Sequence, residues 1–420
     1  MVKDWPSILI GDVFVFKNGL SKGKEFFGQG TPFISYSEVY KNNSLKAADI
    51  KGRVSLTKEE ISNLAVHKND VFFTRTSETP EEVGYSAVLL EEVPDCVFNG
   101  FVLRARPINS WLFPDYCKYC FSTKAVREEI SKRCKYTTRA GITGKALSEI
   151  EIPLPPMNEQ KAIAEVLYIM ETHIQNLSEL IEKKKSIRDG ALEDLMSRRT
   201  RMVEYTNQEW ITMPFHNYFT IIKNNTYARE SLSDHGAIGN IHYGDILVKY
   251  GSILSDRDEI PRLKEGVDYS EKWILQENDV LIADTAEDET VGKATQIGAI
   301  SYLLVGGLHT IVCRPNMPTA PGFLGYYINS KAFHDQILPH VTGIKVSSIS
   351  KKAIKTTELK IPSSIEEQAA ITETLVSMDE EIKSLEDERD KYIQICEGAM
   401  DDLLTGRVRL TIQGGRECQQ

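Results

Sequence analysis

The sequence has no apolar run approaching the roughly 18 residues that a membrane-spanning helix needs. Its opening, MVKDWPSILIGDVF, carries no basic-then-apolar leader with a small-residue cleavage site. Seven cysteines (Cys96, Cys117, Cys120, Cys134, Cys313, Cys396, Cys418) are odd in number, scattered, and too few to staple 420 residues. A reduced, cytoplasmic protein is expected. Catalytic signatures are missing as well. HExxH and GxxxxGK[ST] do not occur, and Gly141 with Gly144-Lys145 has the wrong glycine spacing for a phosphate loop. There is no Asn/Asp-Pro-Pro-aromatic tetrapeptide of the kind amino-methylating enzymes use to grip a flipped base; Leu154-Pro155-Pro156-Met157 has the prolines without the polar residue or the ring. Cys117 and Cys120 form a lone CxxC inside a predicted helix and read as packing. The eight histidines are dispersed; His242, beside Tyr243 and Gly244-Asp245, reads as a loop surface histidine. No catalytic residue, metal or cofactor is expected.

What is there is an ordinary globular composition, 41% hydrophobic and 26% charged, over a length that calls for two or more domains. Charge is unevenly spread. The net −10 argues at face value against a nucleic-acid partner, but residues 366–402 hold 13 acids and 3 bases and account for all of it. The remainder is balanced and patchy. Residues 118–145 carry 8 bases and 2 acids, and residues 340–360 carry 5 bases and 1 acid. Patches of that size can neutralise phosphates, although a single basic run is more often a solvated helix face.

The chain repeats itself with a period of about 208 residues. Asn69-Asp70-Val71 matches Asn278-Asp279-Val280, and Val83-Gly84 matches Val291-Gly292. Ile152-Pro153 answers Ile361-Pro362, and Glu159-Gln160 answers Glu367-Gln368. Trp5 and Phe14 match Trp210 and Phe219 at a slightly shorter offset. Each copy opens with about 150 mixed residues. In these, β-rich runs (PFISYSEV, DVFFTRT, GFVLRARP; DILVKYG, DVLIADT, HTIVCRP) alternate with turn residues, and helical stretches follow over 114–134 and 322–339.

Each copy closes with one long helix. Pro155-Pro156 precede the first, and Ser363 or Ser364 can cap the second. Ile163, Leu167, Met170, Ile174, Leu177 and Ile181 step by four and three, as do Ile371, Leu375, Met378, Ile382 and Leu385. That spacing predicts a narrow coiled-coil seam, on helices of about 38 residues or roughly 57 Å. Two such stripes in one pseudo-symmetric chain bury each other most simply. The expected fold is α+β: two repeats, each a mixed α/β domain followed by a long helix, with the helices pairing as an antiparallel coiled coil. The basic cluster Lys183–Lys185 should answer acids on the neighbouring helix.

Recognition chemistry remains. Thr138, Arg139 and Lys145 make a basic, hydroxyl-rich, glycine-punctuated segment before the first long helix. Thr342, Lys345, Ser347 and Lys351 occupy the equivalent place in the second copy. Tyr36-Ser37, Arg75-Thr76-Ser77 and Lys249-Tyr250 end or follow predicted strands, where loops project. Hydroxyls and long cations beside glycines suit phosphate contacts, and arginine can read guanine edges.

Ile152-Pro-Leu-Pro-Pro-Met-Asn-Glu-Gln160, opening a long helix and answered in the second copy, resembles the signature of Type I restriction–modification specificity subunits. The turn His242-Tyr243-Gly244-Asp245 resembles one in their recognition domains. The resemblance covers essentially the whole chain. It implies recognition domains at 1–150 and 201–360, spacer helices at 151–200 and 361–406, and a tail at 407–420. It also implies a non-catalytic subunit that reads a split target in double-stranded DNA, with the helices as a ruler between the halves. Two methyltransferase subunits would dock on it, and motor-nuclease subunits would join. The second junction, Ile361-Pro362-Ser363-Ser364-Ile365, departs from the pattern by lacking the double proline. A coiled-coil protein-interaction adaptor without DNA binding is the alternative.

Overall fold

A computed structural model describes residues 5–136, 138–343 and 345–410; Thr137, Ile344, Cys418, the first four residues and the end of the tail lie outside the described residues. The chain divides into two compact units, Met1–Ser178 with Asp387–Gln420, and Glu179–Glu386. Both cuts fall inside the long helices, because each helix lends its two ends to different units.

In the first unit a five-stranded sheet runs in the order Phe14–Asn18, Val102–Pro107, Val71–Thr74, Ser86–Leu89, Ser44–Leu45. The second unit builds the same sheet from Phe219–Ile222, Thr310–Pro315, Val280–Ala283, Ala294–Ile297 and Ile253–Leu254. In both, the last pair is parallel and the others antiparallel. The matched sequence positions explain the identity. Asn69 and Asn278 take left-handed turns (φ 74° and 73°) into the central strand. The next residues, Asp70 and Asp279, are buried and receive bidentate bonds from Arg106 and Arg314 at 2.7–2.8 Å. Gly84 and Gly292 also have positive φ, and a Cβ on either would meet Ile130 at 2.8 Å or Ile337 at 2.2 Å.

A second repeated device ties each domain to a helix start. Strand Ser7–Leu9 pairs with Glu151–Pro153, and Trp210–Pro214 pairs with Glu358–Pro362. The indoles of Trp5 and Trp210 donate to Glu159 and Glu367. Those carboxylates also receive Arg409 and Arg201, each arriving from just beyond the end of the other helix. Gln160 and Gln368 satisfy backbone groups of the preceding loops. Where the first junction has prolines, the second has a cap: Ser364 Oγ accepts the Glu367 N–H at 3.1 Å.

The long helices span Met157–Met196 and Ile365–Leu404. In the first unit, His173 meets Tyr392 edge-on at 4.3 Å. In the second, Lys184, Lys185 and Arg188 pair with Glu381, Glu386 and Asp379 at 2.6–3.1 Å. Rising numbers on one helix meet falling numbers on the other, so the pairing is antiparallel. The stripes are broader than a simple seam. Ile163 and Leu167 join Tyr116, Phe121, Leu403 and Leu404 in the first core. Ile371 and Leu375 join Phe215, Phe323, Leu192, Leu195 and Met196 in the second. Leu177, Ile181 and Ile382 are buried, while Met170, Ile174, Met378 and Leu385 are half-buried. At about 1.5–3 kcal/mol per buried leucine, packing into the domain cores helps to hold the helix ends.

Three local expectations are corrected. Asp245–Gly251 was expected as a strand from its apolar run; residues Tyr243–Val248 form a helix instead, because His242 caps it and Asp245 sits in its first turn. Ser35-Tyr36-Ser37 likewise opens a helix, Tyr36–Lys41, whose start is held by the Ser35 N–H donating to the Glu38 carboxylate at 2.7 Å. The stretch 114–134 breaks into a short 3-10 turn at Tyr116–Lys118 and a helix at Lys124–Arg133, with Thr123 capping the latter. Cys117 and Cys120 are buried in the first core.

Candidate nucleic-acid interface

In the first unit the central strand Val71–Thr74 continues through Arg75 into Thr76–Ser77. That short strand pairs with Ala140–Gly141, which pairs in turn with Lys135–Tyr136. Two segments more than 60 residues apart in the chain thereby form one edge, carrying Arg75, Thr76, Ser77, Thr138 and Arg139. Lys145 follows, exposed, on a short helix capped by Thr143. Arg139 pairs with Glu78 at 3.0 Å, both well exposed, which is worth little in water and leaves the guanidinium available. Tyr36 stacks on Tyr40 at 5.7 Å, and Tyr40 meets Tyr85 edge-on at 5.2 Å. Glu82 bridges this cluster to the edge, receiving Ser77 at 2.5 Å and Tyr40 at 3.5 Å. Ser37 is exposed beside it.

The second unit repeats the edge. Thr285–Ala286 pairs with Ser347–Ser348, and Thr342 bridges to Ser348. Lys345 is exposed with no partner among the described residues, and Lys351 Nζ donates to Asn224 at 3.4 Å. Tyr243 lies between two imidazoles, His242 at 4.6 Å and His309 at 5.2 Å. His309 adjoins Asp284 and Thr285, each at 3.2 Å, so the Tyr243 cluster and the Thr342–Ser348 segment belong to one surface. Lys249, exposed, sits at the far end of the Tyr243–Val248 helix, 3.9 Å from Asp245. Tyr250 is only 3% exposed and its hydroxyl donates to the Glu259 carbonyl, so it belongs to the core.

Sequence reasoning passed over Asp284, Thr285, His309 and Phe101. The first two stand one repeat beyond Arg75 and Thr76, so the repeat could have found them. Phe101 and His309 come to the edge through turns that carry no motif. Among the described residues no group of three or more His, Cys, Asp or Glu could hold a metal. The surface offers hydroxyls, long cations and accessible rings, which is binding chemistry.

His242 is not the exposed loop histidine expected from the sequence. It is buried at the helix start, and its Nδ1 accepts the Gly244 N–H at 3.3 Å, which requires that nitrogen to be unprotonated. Burial first, and the Arg229 guanidinium second, hold its pKa below the usual imidazole range. The unfolded chain therefore takes up this proton at a higher pH than the folded one, near the ordinary pKa of about 6.5. The stabilisation is complete above that value and is lost as pH falls through it. We expect His242→Asn, which keeps a capping side chain, to flatten this acid loss by up to about 1 kcal/mol in urea unfolding between pH 7.5 and 5.5. An undiminished acid loss in the variant would assign it to other groups.

Comparison with known proteins accords with this architecture. Residues 2–186 and 207–393 each match the family described as Type I restriction modification DNA specificity domain. The type I restriction enzyme MjaVIII specificity subunit of Methanocaldococcus jannaschii is 21% identical over 434 residues, covering 97% of this chain and 94% of that protein. The S subunit of a Type I restriction–modification system from M. genitalium superposes with a TM-score of 0.54 at 16% identity, covering 97% of both chains. The HsdS subunit from Thermoanaerobacter tengcongensis gives a TM-score of 0.52 at 14% identity, over 97% of this chain and 98% of its own.

Proposed function

Since the chain belongs to the Type I restriction modification DNA specificity family, matched along both repeats, we propose that it is the DNA-reading, non-catalytic subunit of a Type I restriction–modification complex. The observation that carries this reading is the hydroxyl-and-cation edge built twice, at the same place on two copies of one sheet. A two-part reader needs that duplication; an adaptor does not.

In this reading residues 1–150 and 201–360 each take one half of a split target in double-stranded DNA, and the long helices set the spacer between the halves. Arg75, Thr76, Ser77, Thr138, Arg139 and Lys145, with Tyr36 and Ser37 beside them, face one half-site. Tyr243, Lys249, Thr342, Lys345, Ser347 and Lys351 face the other, and His242 fixes the Tyr243 helix from below. Methyl transfer and cleavage belong to partners: two modification subunits, joined by restriction subunits, in the cytoplasm. The acidic second helix, which would repel DNA, suits a protein partner or solvent.

Titration of fluorescent duplexes at increasing salt tests this. Affinity should fall steeply with salt, since neutralised phosphates release counterions. Arg139→Ala and Lys345→Ala should each weaken binding by about 1–3 kcal/mol if the side chain reaches a base, with relaxed preference at one position. If it touches phosphate, affinity should drop evenly across sequences and the salt slope should shrink by about one. A chain that ignores duplex DNA at low salt would be an adaptor.

A further inference from the structure

The hydrogen bonds that join the segments at the two edges correspond one for one. Arg75 N–H donates to the Phe101 carbonyl at 2.8 Å, and Asp284 N–H donates to the His309 carbonyl at 3.1 Å. Ile142 N–H donates to the Arg75 carbonyl at 3.0 Å, and Ile349 N–H to the Asp284 carbonyl at 2.8 Å. The next residue is threonine in both, Thr76 opposite Gly141 and Thr285 opposite Ser348. The backbone frame is shared. The side chains standing on it are not: guanidinium and phenyl in one unit, carboxylate and imidazole in the other.

Folding accounts for neither pair. Phe101 is 55% exposed, so its ring adds little to the core. Among the described residues the Arg75 guanidinium makes a single long bond, 3.4 Å to the Gly100 carbonyl. Asp284 Oδ1 receives the Thr285 hydroxyl at 2.8 Å and lies 3.2 Å from His309 Nδ1, while Oδ2 has no partner among the described residues. One oxygen thus fixes the carboxylate and the other stays free to accept. A fixed anion on a surface that meets phosphates is repelled everywhere except where a base offers it a hydrogen. In the major groove those hydrogens are the exocyclic amino groups of cytosine and adenine. A guanidinium has the opposite need, met by O6 and N7 of guanine.

We propose, building on the DNA-reading role above, that Arg75 and Asp284 are corresponding base-reading positions of opposite chemistry. Arg75 donates to guanine in one half-site, and Asp284 accepts from the amino group of cytosine or adenine in the other. His309 is a positioning residue for the Asp284 carboxylate, and Phe101 supplies an apolar face beside Arg75, of the kind that contacts a thymine methyl group.

The experiment is selection from a random duplex library by the full chain and by Asp284→Asn, His309→Phe and Arg75→Gln, with melting temperatures as the folding control. The wild type should select a bipartite motif; selecting none would overturn the DNA-reading role itself. Given that motif, Asp284→Asn should cut a cytosine preference at one position by about tenfold, or sharpen an adenine preference there because an amide pairs with both N6 and N7, and leave the other half unchanged. His309→Phe should loosen the same position, and Arg75→Gln should cut a guanine preference in the opposite half. Unchanged motifs in folded variants overturn the assignment while leaving the role intact. So does an Asp284→Asn variant that binds every sequence more tightly by the same factor, since that is mere relief of repulsion from phosphate. If Asp284→Asn melts early, His309→Phe, which installs the ring the other unit already carries on this frame, decides the case by the same criteria.

Discussion

Arg314→Leu should cost the second unit about 3–5 kcal/mol, the loss expected when one partner of a buried ion pair is removed and the other charge stays inside. Asp279 is fully buried, and Arg314 Nε and Nη2 reach its two oxygens at 2.8 and 2.7 Å. The Gln276 N–H, at 2.8 Å, remains as a donor in the variant but brings no charge. The first unit has the same pair at the same distances, Asp70 with Arg106, yet Arg106→Leu should cost less. A second guanidinium, Arg104, lies 3.9 Å from Asp70 and stays behind to balance it. Urea unfolding of the two variants, followed by far-UV circular dichroism, measures the difference. Equal losses would mean that Arg104 compensates nothing.

Exchanging residues 10–150 for the corresponding segment of a relative with a different target should replace one half of the target and leave the other half unaltered. Each base pair misread in the exchanged half costs about 1–3 kcal/mol, so several together shift preference by orders of magnitude. The boundaries follow from the structure. They retain the Ser7–Leu9 strand with its partner Glu151–Pro153, and the knot of Trp5, Arg409 and Glu159. The incoming segment must still cover Ile163 and Leu167, and it needs a tyrosine to donate to Glu171 as Tyr119 does at 2.8 Å. Mapping methylated bases in cells that carry the complete system reads the outcome. Changes in both halves would contradict two independent readers.

The architecture was legible because its signals are local or periodic. A heptad stripe and a 208-residue echo need no knowledge of three-dimensional contacts. Matched residues such as Asp70 and Asp279 proved to echo for structural reasons, since a buried carboxylate and its arginine fix the sheet twice over. The secondary structure failed where a short apolar run met a strong cap: Ile246-Leu247-Val248 has strand composition, but the His242 cap decided for helix. The proposed surface was half legible. Arg75, Thr76, Thr138 and Arg139 were recognisable by chemistry, yet only strand pairing places them side by side. Phe101 and His309 depend on turn geometry, and Tyr250 on burial, none of which spacing along the chain encodes.

The first unit is interrupted in the chain, and the second is not. On a ribosome this sets an order of completion opposite to the order of synthesis. Ile163 and Leu167 leave the exit tunnel long before Leu403 and Leu404, the residues that join them in one core, have been made. At about 5–20 residues per second, the intervening segment takes roughly 12–47 s to translate. For that interval the half-made unit keeps an uncovered apolar strip, the kind of surface that chaperones recognise in general. The contiguous unit, begun later, can close first, and Leu403 and Leu404, made last, then complete the core of the unit that was begun before it.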